Sequence, residues 1–405
     1  MAEEGLDIYE AIGRGNKQRV NELLDCGEDI NQKSNFLSPL GYAAECEQTE
    51  IASLLLSRGC DVNVGGRRIK TPLYIASRAG NIALVQLLLE HCPKLQLKHV
   101  NGNTPLHEAV VQGHTEVVRE LIKAGSDVTS VNNGKETPLH IACLKGFTEI
   151  TRVLIEAGSD LCATKGKLGV EPIHLAAFGG HIEVLTLLLN AGININTAKL
   201  DNGRTPLHIA AIHNCVDFVE ALIANGCDLD PISSENEEAK TPLLKAVELG
   251  HVEIAKKLVA AGADTNRGDR WSVTPLLTVM LQGKAAIAKM LIQAGCDVNL
   301  ASRNGVTPFT ASLRNAADLT MFLVEANCKL TFTDKEHLAR AVEIAPNAQQ
   351  RMLLMQIQHV ISNPRPLLHL CRSLIRHSLG KGCCSKTDTL CLPHELKNYL
   401  KYQDL

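Results

Sequence analysis

Aromatic residues are scarce in this chain, and neither a long apolar run nor a dominant charge is present. Only 3% of the 405 residues are aromatic, with one tryptophan, and the formal net charge is −3. That charge gives no electrostatic footprint for nucleic acid or an anionic membrane. No run of about 18 apolar residues exists, and the first residues lack a basic segment followed by an apolar one. We expect a soluble cytoplasmic protein, with the nucleus left open as a second location, that binds neither nucleic acid nor membrane.

Sequence motifs of catalysis are missing as well. The chain has no phosphate-binding glycine loop, no Gly-x-Ser-x-Gly and no His-Glu-x-x-His. We therefore expect no enzymatic activity, no catalytic residue and no cofactor.

Cysteine, in contrast, is abundant, with 14 residues. Cys60, Cys227 and Cys296 each stand between Gly and Asp, a position that Ser126 and Ala263 fill elsewhere in the chain. Cysteine therefore replaces another small residue at that position. We expect free thiols in a reducing compartment rather than a disulfide framework.

Proline recurs at a nearly fixed period. Most of the prolines in this series lie in Thr-Pro-Leu or a close variant, and the series reads Pro39, Pro72, Pro105, Pro138, Pro172, Pro206, Pro242, Pro275 and Pro308. The intervals are 33 residues, apart from two of 34 and one of 36. A period of this length indicates a repeat protein in which each unit buries its apolar face only against its neighbours.

Residues 100–132 show what one unit contains. Pro105 suits the first turn of a helix, and Gly113 and Gly125 suit the ends of two successive helices. A histidine recurs in register in four units, as His107, His140, His174 and His208. Helices in contact are about 8–10 Å apart, so these side chains lie too far from one another to share a metal ion.

The sequence Thr-Pro-Leu-His-x-Ala at 104–109 resembles the ankyrin repeat, and so do its recurrences. The resemblance runs from about residue 5 to residue 332, or roughly ten repeats. It implies an all-α solenoid of helix-turn-helix repeats whose first unit, lacking Thr-Pro-Leu, is a cap. It also implies that each recurring histidine bonds to the turn and to the Thr three residues earlier. Further amphipathic helices are predicted after Phe332, one with Leu338, Val342 and Ile344 and the next with Met352, Leu353, Gln356, Ile357 and Val360.

An amphipathic segment stands near the end of the chain. Leu367, Cys371 and Ile375 are spaced four residues apart, and Leu370 and Leu374 widen the same apolar face. Such a face should dock into a partner's groove. The pattern of Pro and Leu followed by Cys and Ile at this spacing resembles the elongin-binding box of SOCS-box proteins. The resemblance implies that these five side chains bind elongin C.

A second match follows it. Leu390, Leu392 and Pro393 align with the cullin-5 box of the same family, and Leu396 begins a segment that resembles the last helix of the box. The resemblance implies that these four residues contact the cullin. Cys391 departs from the family, which has proline there. Without that proline the backbone gains freedom and an N–H group, so we expect altered cullin affinity or selectivity.

The whole chain resembles the ankyrin-repeat and SOCS-box family. The expected domains are a capping repeat at 1–34, ankyrin repeats at 35–334, capping or linker helices at 335–363 and a small three-helix SOCS box at 364–405. The family implies a non-catalytic substrate receptor of a ubiquitin ligase. Elongin C, elongin B, cullin-5 and its RING subunit would bind the SOCS box, and the repeats would bind an unidentified protein substrate. The alternative is an ankyrin scaffold with no ligase link, which would not co-purify with elongins.

The tail also contains a dense set of possible zinc ligands, namely His369, Cys371, His377, Cys383, Cys384, Cys391 and His394. No two of these cysteines have the short spacing typical of a zinc site, and Cys371 already belongs to the apolar face. We expect no metal.

The resemblance implies a substrate surface too. In ankyrin repeats the residue seven places after the Thr of Thr-Pro-Leu faces the concave groove. Four consecutive repeats place an apolar residue there, a set that we name the apolar strip: Val111, Leu144, Phe178 and Ile212. Arg78 and Glu248 occupy the same position on either side. We expect the strip to bind the substrate together with the turn residues Arg67, Arg68 and Trp271. The alternative is that the strip is partly buried between adjacent inner helices.

Overall fold

The computed structural model describes residues 7–32, 37–65, 70–166, 169–198, 202–234, 239–315, 317–326, 328, 330, 332–345 and 348–362. Within these ranges every regular element is an α-helix, apart from one isolated bridge between Lys165 and Val170. The fold class is therefore all-α, as the sequence predicts. None of the described helices is long and apolar enough to cross a membrane.

The helices divide into two compact units. Residues 1–228 hold α1 (Ile8–Gly13), α2 (Lys17–Asp25), α3 (Pro39–Glu45), α4 (Thr49–Ser57), α5 (Pro72–Ala79), α6 (Ile82–Glu90), α7 (Pro105–Gln112), α8 (Thr115–Lys123), α9 (Pro138–Lys145), α10 (Thr148–Glu156), α11 (Pro172–Gly179), α12 (Ile182–Asn190), α13 (Pro206–Ile212) and α14 (Val216–Ala224). Residues 229–405 hold α15 (Pro242–Leu249), α16 (Val252–Ala260), α17 (Pro275–Gln282), α18 (Ala285–Gln293), α19 (Pro308–Asn315), α20 (Ala317–Glu325), α21 (Phe332–Ile344) and α22 (Ala348–Ser362).

Five of the first helices begin and end at the residues that the sequence pattern predicts. Thr71 precedes α5, and its hydroxyl accepts a hydrogen bond from the backbone N–H of Tyr74 at 3.2 Å. Pro72 occupies the first turn, where its missing N–H leaves no hydrogen bond unmade. Gly80 ends α5 in the left-handed conformation, with φ of 75°. The same cap residues recur at α7, α9, α15 and α17.

The recurring histidine joins one repeat to the next. In α7 the Nδ1 of His107 lies 2.8 Å from the Thr104 hydroxyl, and its Nε2 lies 3.0 Å from the carbonyl oxygen of Glu136. His140 makes the same pair of contacts, with Thr137 and with the carbonyl of Val170. These contacts confirm the role that the ankyrin resemblance implies for this residue. His107 and His140 thereby each fix their own turn against the turn of the following repeat.

The core consists of aliphatic side chains in both helices of each pair. In α8, Val117, Val118 and Leu121 are buried while Glu116 is exposed, which is the amphipathic pattern of a helix packed on one side. The first helices α5, α7 and α9 pack side by side, and Ala76, Ala109 and Ala142 on them are fully buried. Small residues let these helices approach closely. Each large aliphatic side chain buried in this way contributes ~1.5–3 kcal/mol to stability.

In the described part of the second unit, the last two helices are the longer α21 and α22, which pack on each other and on α19 and α20. Both helices were predicted, but their apolar faces were partly wrong. Leu354 and Ile357 are the buried residues of α22, whereas Met352 is 64% exposed. In α21, Leu338 and Val342 are buried as predicted, whereas Ile344 is 78% exposed.

We expect the buried histidines to make stability depend on pH. Burial lowers the pKa of His107 to about 4, and it lowers the pKa of His140 and His174 as well. Because the unfolded chain takes up protons from about pH 6.5 downwards and the folded chain does not, stability is full above that pH and falls as pH drops towards 4. His107 alone accounts for up to ~3 kcal/mol of that loss.

The measurement is the free energy of unfolding by urea across this pH range for the wild type and for His107→Gln. The variant should show a shallower slope with pH, whatever its absolute stability. His91→Gln, at an exposed helix end, serves as the control and should keep the wild-type slope. Parallel slopes for wild type and His107→Gln would contradict the prediction.

Candidate protein-binding surface

The apolar strip lies at the end of four successive first helices, α7, α9, α11 and α13, in the first unit. Phe178 is 50% exposed, while Val111, Leu144 and Ile212 are half-buried. The structure thus brings the four residues onto equivalent positions of neighbouring helices. Val111, Leu144 and Ile212 are partly buried, which is the alternative that the sequence left open.

Phe178 is the most prominent member of the strip. Its ring lies 4.3 Å from the His213 ring, centroid to centroid, and tilted at 57° to it. His213 follows α13 and is exposed. Burial lowers the pKa of His213, and the nearby Arg204 lowers it further. A neutral imidazole beside a half-exposed phenyl ring forms an aromatic pair suited to contact with an apolar side chain.

Arg78 and Glu248, the charged residues at the same repeat position before and after the strip in the sequence, are both engaged in ion pairs. The Arg78 guanidinium lies 2.7 Å from the Glu45 carboxylate, which belongs to the preceding repeat. In the second unit, Glu248 contacts Lys240 at 2.9 Å and Lys245 at 3.7 Å. These ion pairs are partly exposed, so each contributes at most about 1 kcal/mol.

A buried polar network lies beneath the turns of the first unit, which contains the apolar strip. The Tyr74 hydroxyl donates to the Glu108 carboxylate at 2.8 Å, and the Asn103 amide donates to the same oxygen at 3.2 Å. Asn132 then donates to Asn103 at 3.1 Å and to Glu136 at 3.0 Å. Burial raises the pKa of Tyr74, and its hydrogen bond to Glu108 raises it further. The network ties adjacent turns together and thereby holds the strip's helices in register.

Sequence reasoning missed this network, although one signal was available. Glu108 stands four residues after Thr104, where Ile75, Ile141 and Ile209 stand in other repeats. A charged residue at a position that is apolar in these repeats indicates a buried partner, although the second unit has Lys245 and Thr278 there. That partner, Tyr74, lies 34 residues earlier in the chain.

The remaining predicted residues fall in several places. Trp271 lies in a turn of the second unit and is 47% exposed. Arg67 and Arg68 lie outside the described residues. The predicted elongin-binding residues Leu367, Leu370, Cys371, Leu374 and Ile375 and the predicted cullin-binding residues Leu390, Leu392, Pro393 and Leu396 also lie outside them. So does the cysteine and histidine set of the tail, from His369 to His394. Within the described ranges, no group of three or more metal-ligating side chains could hold an ion.

The thiols of the described region are free cysteines. Cys227 and Cys296 are buried at the position predicted for a small residue, and burial raises the pKa of each thiol to about 11. Such thiols are protonated at neutral pH and unreactive.

Comparisons with known proteins agree with this architecture. Ankyrin-repeat family profiles match residues 36–67, 65–132, 124–199 and 173–269, together more than half of the chain, and a SOCS-box profile matches residues 363–401. Palmitoyltransferase Hip14 of Drosophila melanogaster is 38% identical over 87 residues, 21% of this chain and 14% of that protein. Ankyrin repeat and SOCS box protein 11 of Danio rerio is 35% identical over 85 residues, 21% of this chain and 29% of that protein. The chain thus matches under a third of the length of these relatives.

A solved structure gives the same fold. The ankyrin-repeat domain of Bcl-3, a member of the IkappaB protein family, superposes with a TM-score of 0.51 at 26% identity, covering 55% of this chain and 99% of that domain. Stacked helix pairs that carry a partly exposed apolar strip are typical of repeat proteins that bind other proteins. The chain belongs to the ankyrin-repeat family, among the members that carry a SOCS box.

Proposed function

We propose that the chain is the substrate-recognition subunit of an elongin B/C–cullin-5–RING E3 ubiquitin ligase. The observation that carries the proposal is the presence of ankyrin repeats and a SOCS box in one chain. The repeats bind the target protein, and the SOCS box binds elongin C and the cullin. The subunit itself forms and breaks no bond. It promotes ubiquitination and degradation by holding target lysines near a charged conjugating enzyme.

The pattern at Leu367, Cys371 and Ile375 supports the elongin part of the proposal. When a partner covers this apolar face, the burial of each large side chain contributes ~1.5–3 kcal/mol to the free energy of binding. The face is therefore the place where substitution should separate a ligase subunit from a plain scaffold.

The apolar strip supports the recognition part. Phe178 protrudes from α11, and the half-buried Val111, Leu144 and Ile212 extend the apolar surface along the first helices of neighbouring repeats. An aromatic side chain at the centre of an apolar surface is the usual composition of an interface hot spot. A target that presents an apolar or amphipathic segment fits this surface.

Elongin binding is tested by co-purification. Leu367→Ala combined with Cys371→Phe should abolish elongin C binding, because one change removes apolar contact and the other introduces a clash. Arg376→Ala, at the position opposite the apolar face when the segment is read at helical spacing, serves as the control and should bind like wild type. Undiminished elongin recovery with the double variant would contradict the assignment, and no recovery with wild type would favour the scaffold.

Target recognition is tested by comparing the proteins labelled in proximity to each variant while ubiquitin transfer is blocked. Phe178→Asp should remove target proteins, because a carboxylate at the centre of the strip must be desolvated on binding. Leu144→Asp should have the same effect, with a larger loss of stability because Leu144 is half-buried.

Val100→Asp is the matched control, since Val100 is 52% exposed in the same unit but lies in a turn outside the strip. All variants should keep elongin binding and a single cooperative melt. The strip is excluded if the labelled proteins of Phe178→Asp match those of wild type.

Cullin binding is tested by restoring the family proline. Cys391→Pro should tighten binding of the elongin-bound chain to purified cullin-5, because proline fixes the backbone before binding. The gain expected from that restriction is ~0.4–1 kcal/mol, or a few-fold in Kd. The measurement is a titration with cullin-5 and, in competition, with another cullin. An unchanged affinity, or a preference for the other cullin, would show that the alignment of the box is wrong.

A further inference from the structure

Two neighbouring turns of the second unit expose arginine and tryptophan side by side. Arg270 and Trp271 lie in the turn before α17, and Arg303 lies in the turn before α19. Both arginines are exposed, and each stands four residues before the Thr that caps its helix, so they occupy equivalent positions. The backbone N–H of Arg303 donates to the carbonyl oxygen of Trp271 at 2.9 Å. The side chains of Arg270, Trp271 and Arg303 therefore belong to two adjacent turns joined by a hydrogen bond, which together form one edge of the unit.

The turn holds Trp271 firmly without burying its side chain. One carboxylate oxygen of Asp269 accepts the backbone N–H groups of Trp271 at 2.8 Å and Val273 at 2.9 Å. Ser272 adopts a left-handed φ of 59°, and Gly268 packs so closely on it that an added Cβ would lie 2.8 Å from the Ser272 backbone. The indole is nonetheless 47% exposed. A fixed backbone with an exposed indole is the arrangement of a preorganised contact residue.

The two arginines also differ from several others in the described part of the chain. Arg58, Arg78, Arg119 and Arg152 each contact a carboxylate. Arg270 instead stacks on Trp271, its guanidinium carbon 5.2 Å from the ring centroid, and neither Arg270 nor Arg303 has an ion pair among the described residues. The nearby acids are engaged, Glu248 by two lysines and Asp269 by two backbone amides.

A small pocket lies beside this edge. It has a volume of about 160 Å³, and its apolar lining is Leu244, Val273 and Leu281, with Leu281 43% exposed. Val273 and Asp269 belong both to the pocket and to the Trp271 turn. A cavity of about 150 Å³ accepts a group the size of benzene, so this pocket has room for one apolar side chain.

We infer that this surface binds an acidic protein segment in which an apolar side chain lies between carboxylates. The carboxylates pair with Arg270 and Arg303, the apolar side chain enters the pocket, and Trp271 covers the chain between them. Guanidinium groups bind carboxylates through paired charge-assisted hydrogen bonds, which makes acidic residues the favoured partner. The inference rests on the proposed function in that the repeats recruit a protein, and it assigns a chemical class to that protein.

Trp271 itself reports on the test, because it is the only tryptophan of the chain. A synthetic peptide of repeated Asp-Leu-Glu triplets is titrated into the purified full-length chain while indole emission is followed. The emission should change and saturate, and the affinity should fall as salt is raised, since exposed charges are screened. Peptides with Lys in place of each acid, or Ala in place of each Leu, should bind more weakly.

Anisotropy of the labelled peptide then compares variants. Arg270→Glu with Arg303→Glu should weaken binding at least about tenfold, or ~1.4 kcal/mol. Arg340→Glu, an exposed charge reversal in α21 of the same unit, is the control and should bind like wild type. Trp271→Ala should weaken binding while leaving the melt unchanged.

Three results would overturn the inference: equal binding of the acidic and lysine peptides, unchanged affinity in the double variant, or stronger binding to anionic lipid vesicles than to the acidic peptide. None of these measurements involves elongin or cullin. Loss of elongin binding would therefore refute the ligase proposal without affecting this result, and loss of peptide binding would leave the ligase proposal intact.

Discussion

Within each compact unit, the described helix pairs depend on neighbouring pairs to bury their apolar faces. The pairs have 6–9 residues per helix up to α20, too few to be stable alone in water. Val117 and Leu121 of α8, for example, are removed from solvent because neighbouring helices cover them. Because each repeat contacts only its neighbours, stability is close to a sum of repeat and interface terms. A weak interface therefore affects its two repeats most.

Polar contacts across each interface follow from the same stacking. His114 Nε2 lies 3.0 Å from the carbonyl of Arg78, and His181 Nε2 lies 3.1 Å from the carbonyl of Leu144. Each imidazole lies against the glycine that ends the first helix of the preceding repeat, Gly80 for His114 and Gly146 for His181. A Cβ added to either glycine would come within 2.6 Å of the ring. These glycines are required twice, for the left-handed φ and for the close approach. Cys215 occupies the equivalent position, and its thiol makes longer contacts, at 4.0 Å to the carbonyl of Phe178 and at 3.7 Å to the carbonyl of His213.

The sequence predicted the period and the helix starts at each proline, because these depend on local residues repeated in register. The histidine contacts came from the ankyrin resemblance. The sequence did not predict exposure within the apolar strip, because periodicity shows which residues share a face and not how far the next helix covers them. The phenyl ring of Phe178, for example, pairs with the His213 ring and yet remains 50% exposed. In α22, apolar residues occur on several sides, and packing on α20 and α21 selected Leu354 rather than Met352. The Glu108 network was missed because its partners are distant in sequence.

Stacking also determines which surface charges are satisfied within the chain. A residue can pair with a residue about one repeat away, as Arg78 does with Glu45 and Arg58 with Asp25, each 33 residues apart. Arg270 and Arg303 are related by the same 33-residue step, but both are positive. At the roughly 8–10 Å that separates packed neighbours they repel by about 0.5 kcal/mol in water. At other repeats the same period brings opposite charges together in an ion pair, whereas at Arg270 and Arg303 it brings two positive charges together. A carboxylate from another chain can contact both, which converts this repulsion into binding energy.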